Sequence, residues 1–144
     1  MLLRIQYFLI ESLYHRANCS LAMAEHCATN NGRKRQFVEA ARRDAARIER
    51  ENAPWCNGLA LLVRAGVVAA QNRLEKAELL FRAAEEALAS ADMRLFAAAA
   101  RRRRGELIKG DRGASLIQSA DSFMYQQGIV APKHIAAMLA QGSS

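Results

Sequence analysis

The chain has 144 residues, 51% of them hydrophobic, and carries a formal net charge of +7. That length and apolar share bury a core without disulfides or metals. They exclude a membrane-spanning protein, because no stretch reaches the roughly 20 uninterrupted apolar residues a span needs. Cys19, Cys27 and Cys56 are an odd number scattered among helix formers, which points to a reducing cytoplasm rather than to a secreted framework. Ala and Leu dominate, with only 2 Pro and 8 Gly, and such a composition favours helix.

Apolar residues recur at helical spacing along the whole chain, and the periodicity predicts seven helices and no strand. The first runs over about 2–28, with Ile10, Leu13, Ala17, Leu21, Ala24 and Ala28 on one face. Its opening run, MLLRIQYFLI, is interrupted by Arg4 and Gln6 and has no cleavage site after it, so it does not read as a signal peptide. It also starts without a capping residue, which reads as the cut edge of a longer protein. Thr29-Asn30-Asn31-Gly32 is expected to end this helix through a left-handed stop.

The second helix covers about 35–51 and is amphipathic, with Phe37, Ala41, Ala45 and Ile48 inward and Arg42, Arg43, Arg47 and Arg50 outward. Pro54 opens a third helix over 55–71, which carries a single charge, Arg64, and is otherwise apolar nearly all round, so it packs on more than one side. The fourth spans 74–89 with a stripe of Leu74, Ala77, Phe81, Ala84 and Leu88. Asp92 is read as the cap of a fifth helix over 93–108, and Lys109 to Gly113 as a loop. The sixth covers 114–127, with Leu116, Ile117, Ala120, Phe123 and Met124 inward, and Gly128 stops it. Pro132 opens a short capping helix to Ala140, and Gln141-Gly142-Ser143-Ser144 reads as a frayed end.

Helices of similar length joined by short turns predict one all-α domain of stacked antiparallel hairpins, at about 2–51, 55–89 and 93–127. Within Gly58 to Ala91, a 34-residue span, Leu61, Ala65 and Val68 and then Ala77, Phe81 and Ala84 follow the large and small positions of a tetratricopeptide repeat. Small residues there allow close helix approach. The flanking pairs fit that spacing less well.

Further residues carry a more specific likeness: Leu61-Leu62-Val63-Arg64-Ala65-Gly66, Ala91-Asp92-Met93-Arg94-Leu95-Phe96, Arg101 to Arg104 with Gly105-Glu106-Leu107, Gln127-Gly128-Ile129, and Ala136-Ala137-Met138-Leu139. In these, Trp55 to Ala140 resembles the C-terminal tetratricopeptide-type region of large bacterial serine/threonine protein kinases. No kinase motif is present in the chain, so the resemblance implies a sensor or interaction tail and no activity.

The chemical candidates are few. His15, Cys19 and His26 share a helix face, but His26 lies roughly 16 Å along the axis from His15, too far to share an ion. Neither a cofactor nor a metal is expected, and no constellation suggests an enzyme. Arg101 to Arg104 is the densest charge. Consecutive helical residues fan out at about 100° each, so the run cannot form a flat patch and reads as a charged helix end near Glu106.

A quieter signal is a polar stripe on the odd-numbered helices: His15 and Asn18, then Asn57, Arg64 and Gln71, then Arg94, Arg101 and Arg104. In a hairpin stack those helices line the concave side, and the stripe is expected to hold an acidic protein or peptide segment. A stripe that simply faces bulk water is the competing reading. Self-association through a hairpin edge is a further expectation, and no membrane partner is expected. The alternative class is a basic module binding nucleic acid or another polyanion.

Overall fold

The computed structural model describes residues 2–27 and 29–142. It is all-helical, with α1 (Leu2–His26), α2 (Asn31–Arg50), α3 (Cys56–Ala70), α4 (Leu74–Ser90), α5 (Arg94–Ile108), α6 (Gly110–Gln126) and α7 (Pro132–Leu139). Each helix packs on the next, which makes a stack of helical hairpins; α1 also packs on α3, and α5 on α7.

The core follows the apolar stripes. Ile10, Leu13, Ala17, Leu21 and Ala24 of α1 are buried against Val38, Ala41, Ala45 and Ile48 of α2. Ala28, assigned to the first stripe, lies outside the described residues. Helix α3 is buried nearly all round, because α1, α2 and α4 all pack on it. On α4 the stripe holds from Ala77 through Phe81 and Ala84 to Leu88, while Leu74 at the helix start is exposed. On α6 only Ala120 and Met124 of the expected five are fully buried; Leu116, Ile117 and Phe123 are half-buried.

Three of the turns are one motif repeated. Asn72, Asp92 and Gly128 each take a left-handed φ, of 59°, 58° and 81°. After each, the next amide donates back to the last turn of the helix: Arg73 to Val68 at 3.2 Å, Met93 to Leu88 at 2.8 Å and Ile129 to Met124 at 3.0 Å. These are Schellman closures, which satisfy the orphan carbonyls of the helix end. Gly128 therefore stops α6 as expected, but Asp92 ends α4 instead of capping α5 with its side chain.

Two boundaries move for related reasons. The Asn30 side chain accepts from the Arg33 amide at 3.1 Å, so Asn30 caps the start of α2, and Gly32 lies inside that helix. The expected loop at Lys109 to Gly113 shrinks to Lys109 alone, whose φ of 59° turns the chain directly into α6. Gly113 is helical and buried because α5 and α6 touch there through backbone. A Cβ on Gly105 would lie 2.6 Å from the Gly113 carbonyl oxygen, and one on Gly113 would lie 2.5 Å from that of Gly105.

Candidate functional site: the inner face and its aromatic pocket

The Arg101 to Arg104 run fans out around α5 as its spacing requires, and each side chain meets at least one acidic neighbour. Arg101 donates to Glu85 at 2.7 Å and to Ser119 at 3.0 Å. Arg102 donates to Asp121 at 2.8 Å and pairs with Glu106. Arg103 donates to Glu106 at 2.6 Å and to the Ala140 carbonyl oxygen at 2.7 Å. Arg104 donates to Glu78 at 3.1 Å and to Glu85 at 2.7 Å. Four arginines thus share four carboxylates, and Arg102, Arg103 and Arg104 are buried. Burial alone would depress the Arg104 pKa, but its hydrogen bonds with Glu85 and Glu78 outweigh that and hold it above the ordinary arginine value. The run is an internal ion-pair network tying α5 to α4 and α6, which corrects the reading of a charged helix end.

The expected polar stripe is dispersed. Arg64 turns toward α2 and grips Glu49 with two bonds of 2.6 Å. The Arg64 bond, the largest influence, holds the Glu49 carboxyl below the usual range. Arg101 and Arg104 face α4, as described, so these three arginines do not line the inner face. Asn57 and Gln71 are exposed. Arg94 is exposed and pairs with Asp92 at 3.0 Å. His15 is exposed, 4.0 Å from Glu11, whereas Asn18 is buried. The eight residues form no single site, because helical spacing fixes which face a side chain takes but not which neighbour it finds there.

The inner face formed by α1, α3 and α5 is occupied by the end of the chain itself. Gly66 of α3 leaves room for that tail: a Cβ there would lie 2.7 Å from both the Gln141 carbonyl oxygen and Leu21 Cδ1. A Cβ on Gly142 would sit 3.5 Å from Arg103 and 3.6 Å from the Phe81 ring. With Ala140 fully buried and Gly142 buried, residues 140–142 are packed, which corrects the expectation of a frayed end there; Ser143 and Ser144 lie outside the described residues. Glu25 faces this region, and burial raises its carboxyl pKa, with Arg103, His26 and Lys34 opposing.

Beside the tail a cavity of about 400 Å³ remains, lined by Tyr7, Glu11, Tyr14 and His15 of α1, Trp55 and Leu59 at the start of α3, Met93 and Phe96 at the start of α5, and Leu139 of α7. Tyr7 packs on Trp55 with ring centroids 5.5 Å apart, and Tyr14 meets Phe96 edge-on at 5.8 Å. Met93 and Phe96 also border a shallower opening that includes Arg94 and Phe123. The walls are mainly apolar, with Glu11 and His15 among them; behind them the Tyr14 hydroxyl, whose residue is 2% exposed, and the Asn18 Nδ2 one turn along are buried beside each other and make no hydrogen bond of good geometry among the described residues. Burial, only partly offset by Asn18, pushes the Tyr14 hydroxyl well above its ordinary pKa. It stays protonated and able to donate.

Sequence reasoning missed this pocket. Tyr7 and Tyr14 stand seven apart on one helix face, and that spacing was the available signal; Trp55 and Phe96 join them only through the fold. Among the described residues, no group of three His, Cys, Asp or Glu side chains is placed to hold a metal ion, and no helix is long and apolar enough to cross a membrane. Comparison with protein-family models, with curated proteins and with solved structures gives no match.

Proposed function

We propose that this chain is a non-catalytic interaction scaffold of the tetratricopeptide-like kind, and that its aromatic pocket receives an anchoring side chain from a partner protein. The observation that carries the reading is the cavity of about 400 Å³ walled by Tyr7, Tyr14, Trp55 and Phe96, with Glu11 and His15 beside them. The chemistry selects an apolar or aromatic side chain, presented on a peptide segment whose acidic residue meets His15 at the rim. The resemblance to kinase tails fits a sensor or interaction module of a bacterial cytoplasmic signalling enzyme.

Peptides selected on the purified chain from a random display library test this. Binding of a selected peptide is expected to weaken roughly tenfold in Tyr7→Ala and to vanish in Phe96→Ala. Selected peptides that bind both variants as well as the parent chain would remove the pocket from the proposal.

The alternative, a basic module for polyanions, gains nothing from the Arg101 to Arg104 run, which is internally neutralised. It draws instead on α2. Of its three carboxylates, Asp44 pairs with Arg16 of α1 and Glu49 with Arg64 of α3, and Glu39 pairs with Arg42. Arg33, Arg35, Arg43, Arg47 and Arg50 have no carboxylate within ion-pair distance among the described residues, and all five are exposed.

A further inference from the structure

We propose that the end of the molecule formed by the start of α1 and the end of α2 docks peripherally on an anionic lipid bilayer. This surface adjoins the peptide pocket, since the Phe8 ring meets Tyr7 edge-on with centroids 6.0 Å apart, but its binding chemistry does not depend on a bound peptide.

Two features meet at this end. The first is apolar: Leu2 is 84% exposed, Ile5 60% and Phe8 63%, although each is a residue that water disfavours. Leu2 and Ile5 step by three and continue at helical spacing through Leu9 to Arg16, so they share the flank of α1 from which Arg16 reaches Asp44 of α2, its Nε donating at 2.8 Å. The second feature is cationic. Arg47 stands one turn beyond Asp44 on α2, and Arg43 and Arg50 flank it, all exposed and without a carboxylate partner among the described residues. The Gln6 amide donating to the Glu51 carbonyl oxygen at 2.9 Å holds the start of α1 beside the end of α2. The apolar tip thereby lies beside the Arg50 end of the arginine ridge.

Each candidate occupant is tested by whether it satisfies both features. A second copy packed symmetrically would cover the aliphatic side chains but would set arginine ridges of like charge near one another. A nucleic acid would neutralise the arginines and leave Leu2, Ile5 and Phe8 in water. A bilayer with anionic headgroups accepts both, the aliphatic and phenyl groups entering the acyl boundary while the guanidiniums stay among the phosphates. Neither contribution suffices alone, since a basic patch is held by roughly a fivefold gain per residue near the surface and a short apolar tip binds reversibly.

The full chain is to be co-sedimented with phosphatidylcholine vesicles with and without phosphatidylserine, with its fold checked by circular dichroism. Binding is expected only to the phosphatidylserine vesicles. The triple variant Arg43→Gln, Arg47→Gln, Arg50→Gln is expected to weaken it about 100-fold. The charge-neutral variant Ile5→Ser, Phe8→Ser is expected to weaken it about tenfold or more. The proposal is overturned if the Ile5, Phe8 variant binds vesicles as well as the parent chain does. It is also overturned if the chain binds duplex RNA but no vesicle, or if ultracentrifugation shows a dimer that the same apolar variant dissolves while no vesicle is bound.

Discussion

Helices α2 and α5 are both rich in arginine and treat it in opposite ways. On α5 four consecutive arginines are matched by Glu78, Glu85, Glu106 and Asp121 and sink into the stack. On α2 the arginines recur at turn spacing along the outer side, and two of the three local carboxylates are taken by other helices. The denser run in sequence is thus the one with no free charge, and the chain's positive excess is displayed on α2. Charge density along a chain reports neither burial nor availability; the acidic residues brought by neighbouring helices decide both.

The largest expected effect that sharpens this contrast is loss of one guanidinium from the network. Arg104→Met would leave Glu78 without its arginine and Glu85 with Arg101 alone in a poorly solvated seam, and urea unfolding is expected to show a loss of about 3 kcal/mol. Arg47→Met on α2 is expected to change stability by less than about 0.5 kcal/mol. Equal losses in the two variants would break the comparison.

Next in size is a pair of glycine substitutions in the same two helices. Gly105→Ala pushes a methyl against the Gly113 backbone, and the expected destabilisation is about 1–3 kcal/mol despite the better helix propensity of alanine. Gly32→Ala on α2 meets nothing closer than 3.6 Å, so propensity alone acts there and the thermal midpoint is expected to rise, by the equivalent of up to about 1 kcal/mol.

The smallest effect concerns Glu49, whose folded pKa is depressed by Arg64. Its contribution is present above the unfolded carboxylate value of about 4.3 and is lost as pH falls through the folded value. Both partners are about one-third exposed, so solvent screening keeps the contribution below about 1 kcal/mol. Glu49→Gln is expected to lower the thermal midpoint slightly at pH 7 and to match the parent chain at pH 2.

Much of the fold was legible because helix periodicity is local. The stripes from Ile10 to Ala24 and from Ala77 to Leu88 are both buried, and Gly128 stops its helix. Side-chain roles at helix ends were less legible. Asp92 and Asn30 belong to residue types that serve both as caps and in the left-handed conformation, and the reading gave each the role the structure does not. Gly113 reads as part of a loop, and only the fold shows that it forms a backbone contact with Gly105. The pocket was hidden more deeply, since its four rings come from three helices, and the arginine network depends on Glu78, Glu85 and Asp121, at sequence separations that no motif spans.

The connection through Lys109 has a consequence for what lengths the chain tolerates. With one residue between α5 and α6, an insertion there has no slack to absorb it and would displace the start of α6 relative to α5. Gly113 would leave Gly105, and Asp121 and Ser119 would swing away from Arg102 and Arg101. The stretch between Gln126 and Pro132 has room to take up an added residue without changing the phase of either helix. Tags, labels and loop grafts belong in that second connection, and the first sets the angular frame in which the network of α5 is assembled.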